Sequence, residues 1–234
     1  MTVVSASSLV RDCGYQRALR RARATSPDQQ AAMDRGTTFH QAVETWARTR
    51  ELPVLADLEM QGWLDLLAAE WAPPVDCEYE VAWGLRTDAR DYGELGAYVE
   101  VAEPEPHVYV ARDGGPLLTA GRADVAWTSV NCSLAVVDWK TGRWPATPAA
   151  HNLQANSAGI ALALKRGLRS YTPGVYYARD GYWDWGAQVV LGTPAFEQIW
   201  GEIRTAALLD ETPRPGEVCR SCWERKGCEH AAEK

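Results

Sequence analysis

The sequence predicts a mixed α/β fold of the α+β kind, a single domain over residues 1–234 with helical ends. Two helix starts are written in cap chemistry, at TSPDQQ (25–30) and TPAAH (147–151). Between and after them lie runs rich in β-branched and aromatic residues: LLTAGRADVAW, LAVVDWK and GVYYARDGYWDW. The elements therefore follow the order helices, strands, helix, hairpin, helix.

The first helix starts at 25–30. Ser26 caps it, Pro27 suits its first turn and Gln29 completes a capping box. It runs to about residue 50, with Phe39, Val43 and Trp46 on one apolar stripe. A second helix, about 57–71, carries Leu58, Leu64, Leu67 and Trp71. EYEVAWGL (78–85) reads as a strand, and the Gly- and Pro-rich stretch 86–116 holds two shorter strand-like pieces, AYVEV and HVYVA. Strands at 117–127 and 134–140 flank a turn in TSVNCS. A turn centred on Asn131 sets Asp124 opposite Asp138. The helix 147–167 has Thr147 as cap, Pro148 first in, and Lys165, Arg166 and Gly167 at its end. A hairpin around Asp180-Gly181 (174–191) and a last helix (193–210), with Phe196, Ile199, Trp200 and Ile203 inward, complete the chain.

Composition narrows the class. With 46% hydrophobic and 24% charged residues the chain is globular and long enough for a sizeable core. It has no apolar run of transmembrane length, and MTVVSASSLVRDC carries charge too early for a signal peptide, so a cytoplasmic protein without a membrane partner is expected. The net charge of −7 weighs against nucleic-acid binding by the chain as a whole. Residues 11–23 nevertheless hold five arginines and one aspartate, either a basic patch or a solvated helix face. No P-loop is present, so the sequence carries no such signature for hydrolysing ATP.

Asp138 and Lys140, two apart in VVDWKTGR, stand on one face of their strand, with Trp139 on the other. Alone, the pair reads as an ion pair on a sheet edge. Asp124 facing Asp138 changes that reading, because two opposed carboxylates repel unless a cation lies between them. Hard divalent cations such as Mg²⁺ or Mn²⁺ take oxygen ligands of this kind. Lys140 beside them can orient or help deprotonate a water and stabilise charge in the transition state. This is the chemistry of phosphodiester hydrolysis. His40, in RGTTFHQAVETW, is either a hydrogen-bonded helix histidine or a further metal ligand suited to Mn²⁺.

Of six cysteines, Cys219, Cys222 and Cys228 fall within the last 16 residues as C-x2-C-x5-C, a metal or cluster spacing. Cys77 and Cys132 read as ordinary strand or turn residues. Eleven tryptophans and nine tyrosines stand against two phenylalanines. Most belong in a core. Trp144, Trp183 and Trp185 are the candidates for stacking on unpaired bases.

Taken in order, G-x-x-x-H in a helix (Gly36 to His40), GRAD, VVDWKTG and a helical LQ resemble the motifs of RecB-like nucleases of the PD-(D/E)XK superfamily. SASSLVRDCGYQRAL and PRPGEVCRSCWERKGC resemble the terminal cysteine segments of its iron–sulfur members. The whole resembles the single-domain CRISPR-associated RecB-like exonucleases and the AddB nuclease domain. This resemblance covers roughly residues 5–230 and implies a restriction-endonuclease-like core sheet flanked by helices. It implies His40, Asp124, Asp138 and the Trp139 backbone carbonyl as metal ligands, Lys140 as the catalytic lysine and Gln154 as the glutamine of the helical motif. It also implies Cys13, Cys219, Cys222 and Cys228 as ligands of a 4Fe–4S cluster joining the chain ends.

On this reading 1–75 is a helical part with the first cluster cysteine, 76–192 the catalytic sheet and helix, and 193–234 the last helix and cluster tail. Zinc also suits four cysteines; the resemblance favours iron–sulfur. Two positions depart from the family. Ala158 stands where the helix often has tyrosine, and Asp138 where many relatives have glutamate. The function implied is a metal-dependent DNA exonuclease acting on single-stranded DNA or frayed ends, in repair, recombination or CRISPR adaptation. The alternative is a non-catalytic or partner-dependent nucleic-acid-binding subunit of a recombination or CRISPR adaptation complex.

Overall fold

Ser26 starts the first helix as its sequence predicts. Its hydroxyl accepts from Gln29 N, and the Gln29 side chain accepts from Ser26 N at 3.0 Å. In the computed structural model, which describes residues 4–5, 9, 25–86, 98–105, 108–142, 147–208 and 228, this helix is α1, Pro27–Thr49. It ends at Arg50, whose left-handed backbone (φ 64°) returns its N–H to Trp46 O. Asp57 caps α2, Leu58–Glu70, by accepting from Glu59 N and Met60 N. Leu58 is exposed rather than inward, and Met60 and Trp63 take the buried positions with Leu64 and Leu67. The basic run 11–23 and Trp144 lie outside the described residues.

The strands are β1 (Val4–Ser5), β2 (Glu78–Leu85), β3 (Tyr98–Val99), β4 (Val101–Glu105), β5 (Val108–Ala111), β6 (Thr119–Thr128), β7 (Leu134–Lys140), β8 (Ser170–Tyr177), β9 (Tyr182–Trp185) and β10 (Val189–Val190). Eight of them form a mixed sheet in the order β10–β8–β7–β6–β2–β3, with β1 beside β6 and β9 beside β8. β4 and β5 form a separate ribbon. β6 and β7 pair about Asn131 as predicted, from Thr128–Leu134 to Val125–Val137. β7 and β8 run parallel and are joined through α3, Leu153–Lys165. The last helix is α4, Pro194–Leu208.

Alternation along the strands feeds two cores. Leu134, Val136 and Ala126 pack with α3 and α4, while Val125, Val137 and Trp139 pack with α1 and α2. The sheet is thus covered by helices on both sides. No helix among the described residues is long and apolar enough to cross a membrane.

Two elements differ from expectation. The segment at Thr147 opens as a 3-10 turn, Ala149–His151, and the α-helix starts only at Asn152, whose side chain accepts from Gln154 N and Ala155 N. The reason is tertiary: Asp184 accepts from Ala149 N, which ties that turn to β9, and the Asn152 amide faces Asp138. β8 starts at Ser170, ahead of the expected hairpin, although Pro173 lies inside it. Pro173 lacks an N–H, but its carbonyl still accepts from Gly186 N.

Candidate active site

The site lies at a fork in the sheet. The β6–β7 ladder ends at Val125–Val137, one step short of Asp124 and Asp138. Here the Asp124 carboxylate takes over from the ladder, accepting from Trp139 N at 2.7 Å. Farther along, β6 pairs with β1 at Thr119 and Ala120 instead of with β7. The predicted register thus places both aspartates where the two strands part.

Asp124 has a second neighbour that the sequence did not disclose. Tyr79–Val125 and Val81–Ala123 are paired across β2 and β6, which leaves Glu80 opposite Asp124. Glu80 has φ 50°, a left-handed backbone that costs a side-chain-bearing residue about 1–3 kcal/mol. The Glu in EYEV looked like an ordinary polar residue of an alternating strand. Its only signal was an acidic group in a strand next to GRAD.

His40, from α1, brings Nδ1 to 3.7 Å from Asp124 Oδ1 and 3.8 Å from Glu80 Oε1. One donor atom each from His40, Glu80 and Asp124 lie within 4.8 Å of one another. Gly36, one turn before His40, lets the helix come close: a Cβ there would sit 3.0 Å from Thr141 Oγ1, just after Lys140. This gives the G-x-x-x-H spacing a steric reason.

Asp138 is buried beside this trio. Its Oδ2 lies 2.6 Å from Lys140 Nζ and accepts from Asn152 Nδ2 at 3.3 Å. Asp138 and Lys140 therefore form one pair, His40, Glu80 and Asp124 form a trio, and the Trp139 backbone connects them. Gln154 enters through its backbone N–H, bonded to Asn152 Oδ1; among the described residues its side-chain amide makes no hydrogen bond. Ala158, at the family's tyrosine position, is buried in the α3 core.

The charges are strongly coupled. Burial disfavours a charged His40, but the Asp124 and Glu80 carboxylates, with Asp138 farther off, outweigh it and raise its pKa to about 9. Burial raises Asp124 well above the usual carboxylate range, and Asp138 adds to this, although His40 opposes it. Lys140 is also penalised by burial, yet Asp138 prevails and raises its pKa. Lys140 is thus a cation, better suited to holding an anion than to removing a proton.

Other predicted residues lie elsewhere. Trp183 shares a cross-strand row with Tyr176 and Trp139, on the sheet face opposite Asp138 and Lys140. It packs against Trp71, Trp139 and Trp185 in the α1–α2 core. Neither Trp183 nor Trp185 stands on the face of the catalytic pair. Cys13, Cys219 and Cys222 lie outside the described residues, and Cys228 makes no disulfide among the described residues. Cys132 is exposed in the β6–β7 turn, and burial raises the Cys77 thiol to about 11.

A family model for the PD-(D/E)XK nuclease superfamily matches residues 3–229. The chain belongs to the PD-(D/E)XK nuclease superfamily. Its mixed sheet between helices is the restriction-endonuclease-like core of that superfamily, and membership makes it a nuclease, a hydrolase of phosphodiester bonds. PD-(D/E)XK nucleases use divalent metals, and the imidazole and two carboxylates of His40, Glu80 and Asp124 are a donor set that fits one. Solved structures also match. One, titled "Crystal structure of SSO0001", is 14% identical over 100% of this chain and 88% of its own, with a TM-score of 0.46. No curated protein matches the sequence.

Proposed function

We propose that the chain is a divalent-metal-dependent DNA exonuclease acting on single-stranded DNA or DNA ends. The observation behind this reading is the convergence of His40, Glu80 and Asp124 beside the Asp138–Lys140 pair at the sheet fork. His40, Asp124 and Asp138, with the Trp139 carbonyl, would hold Mg²⁺ or Mn²⁺, and Glu80 would complete the carboxylate set. A bound cation supplies Lewis-acid polarisation of the phosphate and lowers the pKa of water. Lys140, positioned by Asp138, holds a phosphate oxygen and stabilises the charge that builds as water attacks phosphorus. The water gives up a proton as its oxygen bonds to phosphorus, the ester bond to the leaving oxygen breaks, and that oxygen takes up a proton. Gln154, at the start of α3, orients the strand being cut.

Cys13, Cys219, Cys222 and Cys228 hold a 4Fe–4S cluster on this reading. Thiolate ligands suit such a cluster, and it would join residues some 200 positions apart. The cluster is a structural staple and takes no part in hydrolysis.

The test uses 5′- and 3′-end-labelled single strands and a closed circular strand, incubated with Mn²⁺ and anaerobically purified protein. Release of label from one end of the linear strand, with the circle intact, supports the exonuclease. Cutting of the circle rejects exonuclease action, and failure to cut any substrate rejects the reading.

A further inference from the structure

We propose that Tyr182, stacked on Tyr177, is a platform for an unpaired nucleobase next to the phosphate held by Lys140. This deepens the single-strand reading above and rests on it.

The sheet carries two aromatic rows with opposite fates. Trp139, Tyr176 and Trp183 are cross-strand neighbours on β7, β8 and β9, and their rings are spent on one another and on Trp71 within the core. One residue farther along, the register places Lys140, Tyr177 and Tyr182 in the next row, on the opposite face. Asp138 lies on that face too, two residues before Lys140. The Tyr177 and Tyr182 rings stack with centroids 5.9 Å apart and planes inclined by 28°. Tyr182 is 57% exposed. An aromatic face open to solvent therefore lies two inter-strand steps, ~10 Å, from the lysine. That is the reach of a nucleotide whose phosphate sits at Lys140.

The hairpin that presents Tyr182 is fixed to the end of the catalytic strand. Ala178 N donates to Lys140 O at 2.9 Å, and Arg179 Nε donates to Thr141 O at 2.9 Å. Arg179 also binds Glu59 at 2.8 Å and lies over the Trp63 ring. The tip residue Gly181, at φ 59°, packs on Leu66 of α2. The platform is thus held in register with Lys140, and a base meets it without a further ordering cost. Nucleobases stack on aromatic faces whatever their sequence, as an enzyme that degrades ends of any sequence needs. A cross-strand tyrosine pair also stabilises a hairpin by itself, so the test must depend on the base.

Fluorescence anisotropy of a short single strand in Ca²⁺, alongside Mn²⁺-dependent cleavage, provides that test. A series of strands carries one abasic nucleotide stepped inward from the end. For Tyr182→Ala we expect about ten-fold weaker binding of the intact strand. We expect no loss on the strand abasic at the platform position, and wild-type affinity for Tyr182→Phe. Tyr182→Ala binding like wild type, or losing equally on every abasic strand, overturns the platform while wild-type cleavage leaves the nuclease reading standing. Wild-type protein that neither binds nor cuts single strands overturns both.

Discussion

Glu80 shows how a single residue reports a site. A glutamate inside a strand adopts the left-handed region only when its surroundings compel it, and here it faces Asp124 and His40. Replacing it separates stability from function. Glu80→Gly removes the backbone strain, so its unfolding free energy in urea should stay within about 1 kcal/mol of wild type. Its Mn²⁺ affinity, measured by calorimetry, should fall at least about ten-fold, the loss typical even of a residue behind the ligands. His40 makes a second prediction. Its folded pKa of about 9 lies above its ordinary 6.5, so its stabilising charge is fully present below pH 6.5 and is lost as pH rises through about 9. The raised pKa of Asp124 acts in the same direction but at lower pH, between about pH 4 and 7. Metal-free protein should therefore lose on the order of 1–3 kcal/mol between pH 6.5 and 9. His40→Gln should flatten that slope in pH-dependent urea melts. Mn²⁺ affinity should rise over the same interval, because the ligands must lose their protons.

At the scale of the element, Asn152 does two jobs. It caps α3 and donates to Asp138. Asn152→Ala should cost about 1 kcal/mol in urea unfolding for the cap and also lower kcat. Asn152→Asp keeps the cap but brings another carboxylate against Asp138, so stability should hold at neutral pH while cleavage falls. Similar kcat values for Asn152→Asp and wild type would remove Asn152 from the site. Gly159 supports the same helix by close approach, because a Cβ there would lie 2.2 Å from the Tyr171 ring. Gly159→Ala should destabilise by about 1–3 kcal/mol in urea unfolding. Cap chemistry made α1 legible to the residue, with Ser26, Pro27 and Gln29 all acting locally. The same reasoning misplaced the start of α3. Thr147 and Pro148 carry the right local signal, but contacts from Asp184 and Asp138, distant in sequence, set the actual start.

At the scale of the molecule, alternation and turn residues revealed the order of helices and strands and the pairing about Asn131, because they encode these locally, while the core sheet flanked by helices came from the family resemblance. Asp124, Asp138 and Lys140 were legible for the same reason, lying on two strands joined by one turn. Glu80 was not, because β2 reaches β6 across about 40 residues and no local pattern fixes that register. Nor was the division of aromatic residues between the two faces, which placed Trp183 in the core and left Tyr182 open. The proposed cluster acts at this scale by joining the chain ends. Anaerobically purified protein should contain iron and sulfide rather than zinc. Cys222→Ser should lose both and melt at lower temperature, with Mn²⁺ affinity unchanged.

The most direct test of the central claim, that the sheet fork is a metal-dependent nuclease site, is a Mn²⁺ titration followed by cleavage of labelled single strands on the same samples of wild type and Lys140→Ala. The expected result is Mn²⁺ binding by both proteins and cleavage by wild type alone. Wild-type cleavage rates in Lys140→Ala, or no Mn²⁺ binding by wild type, would contradict it.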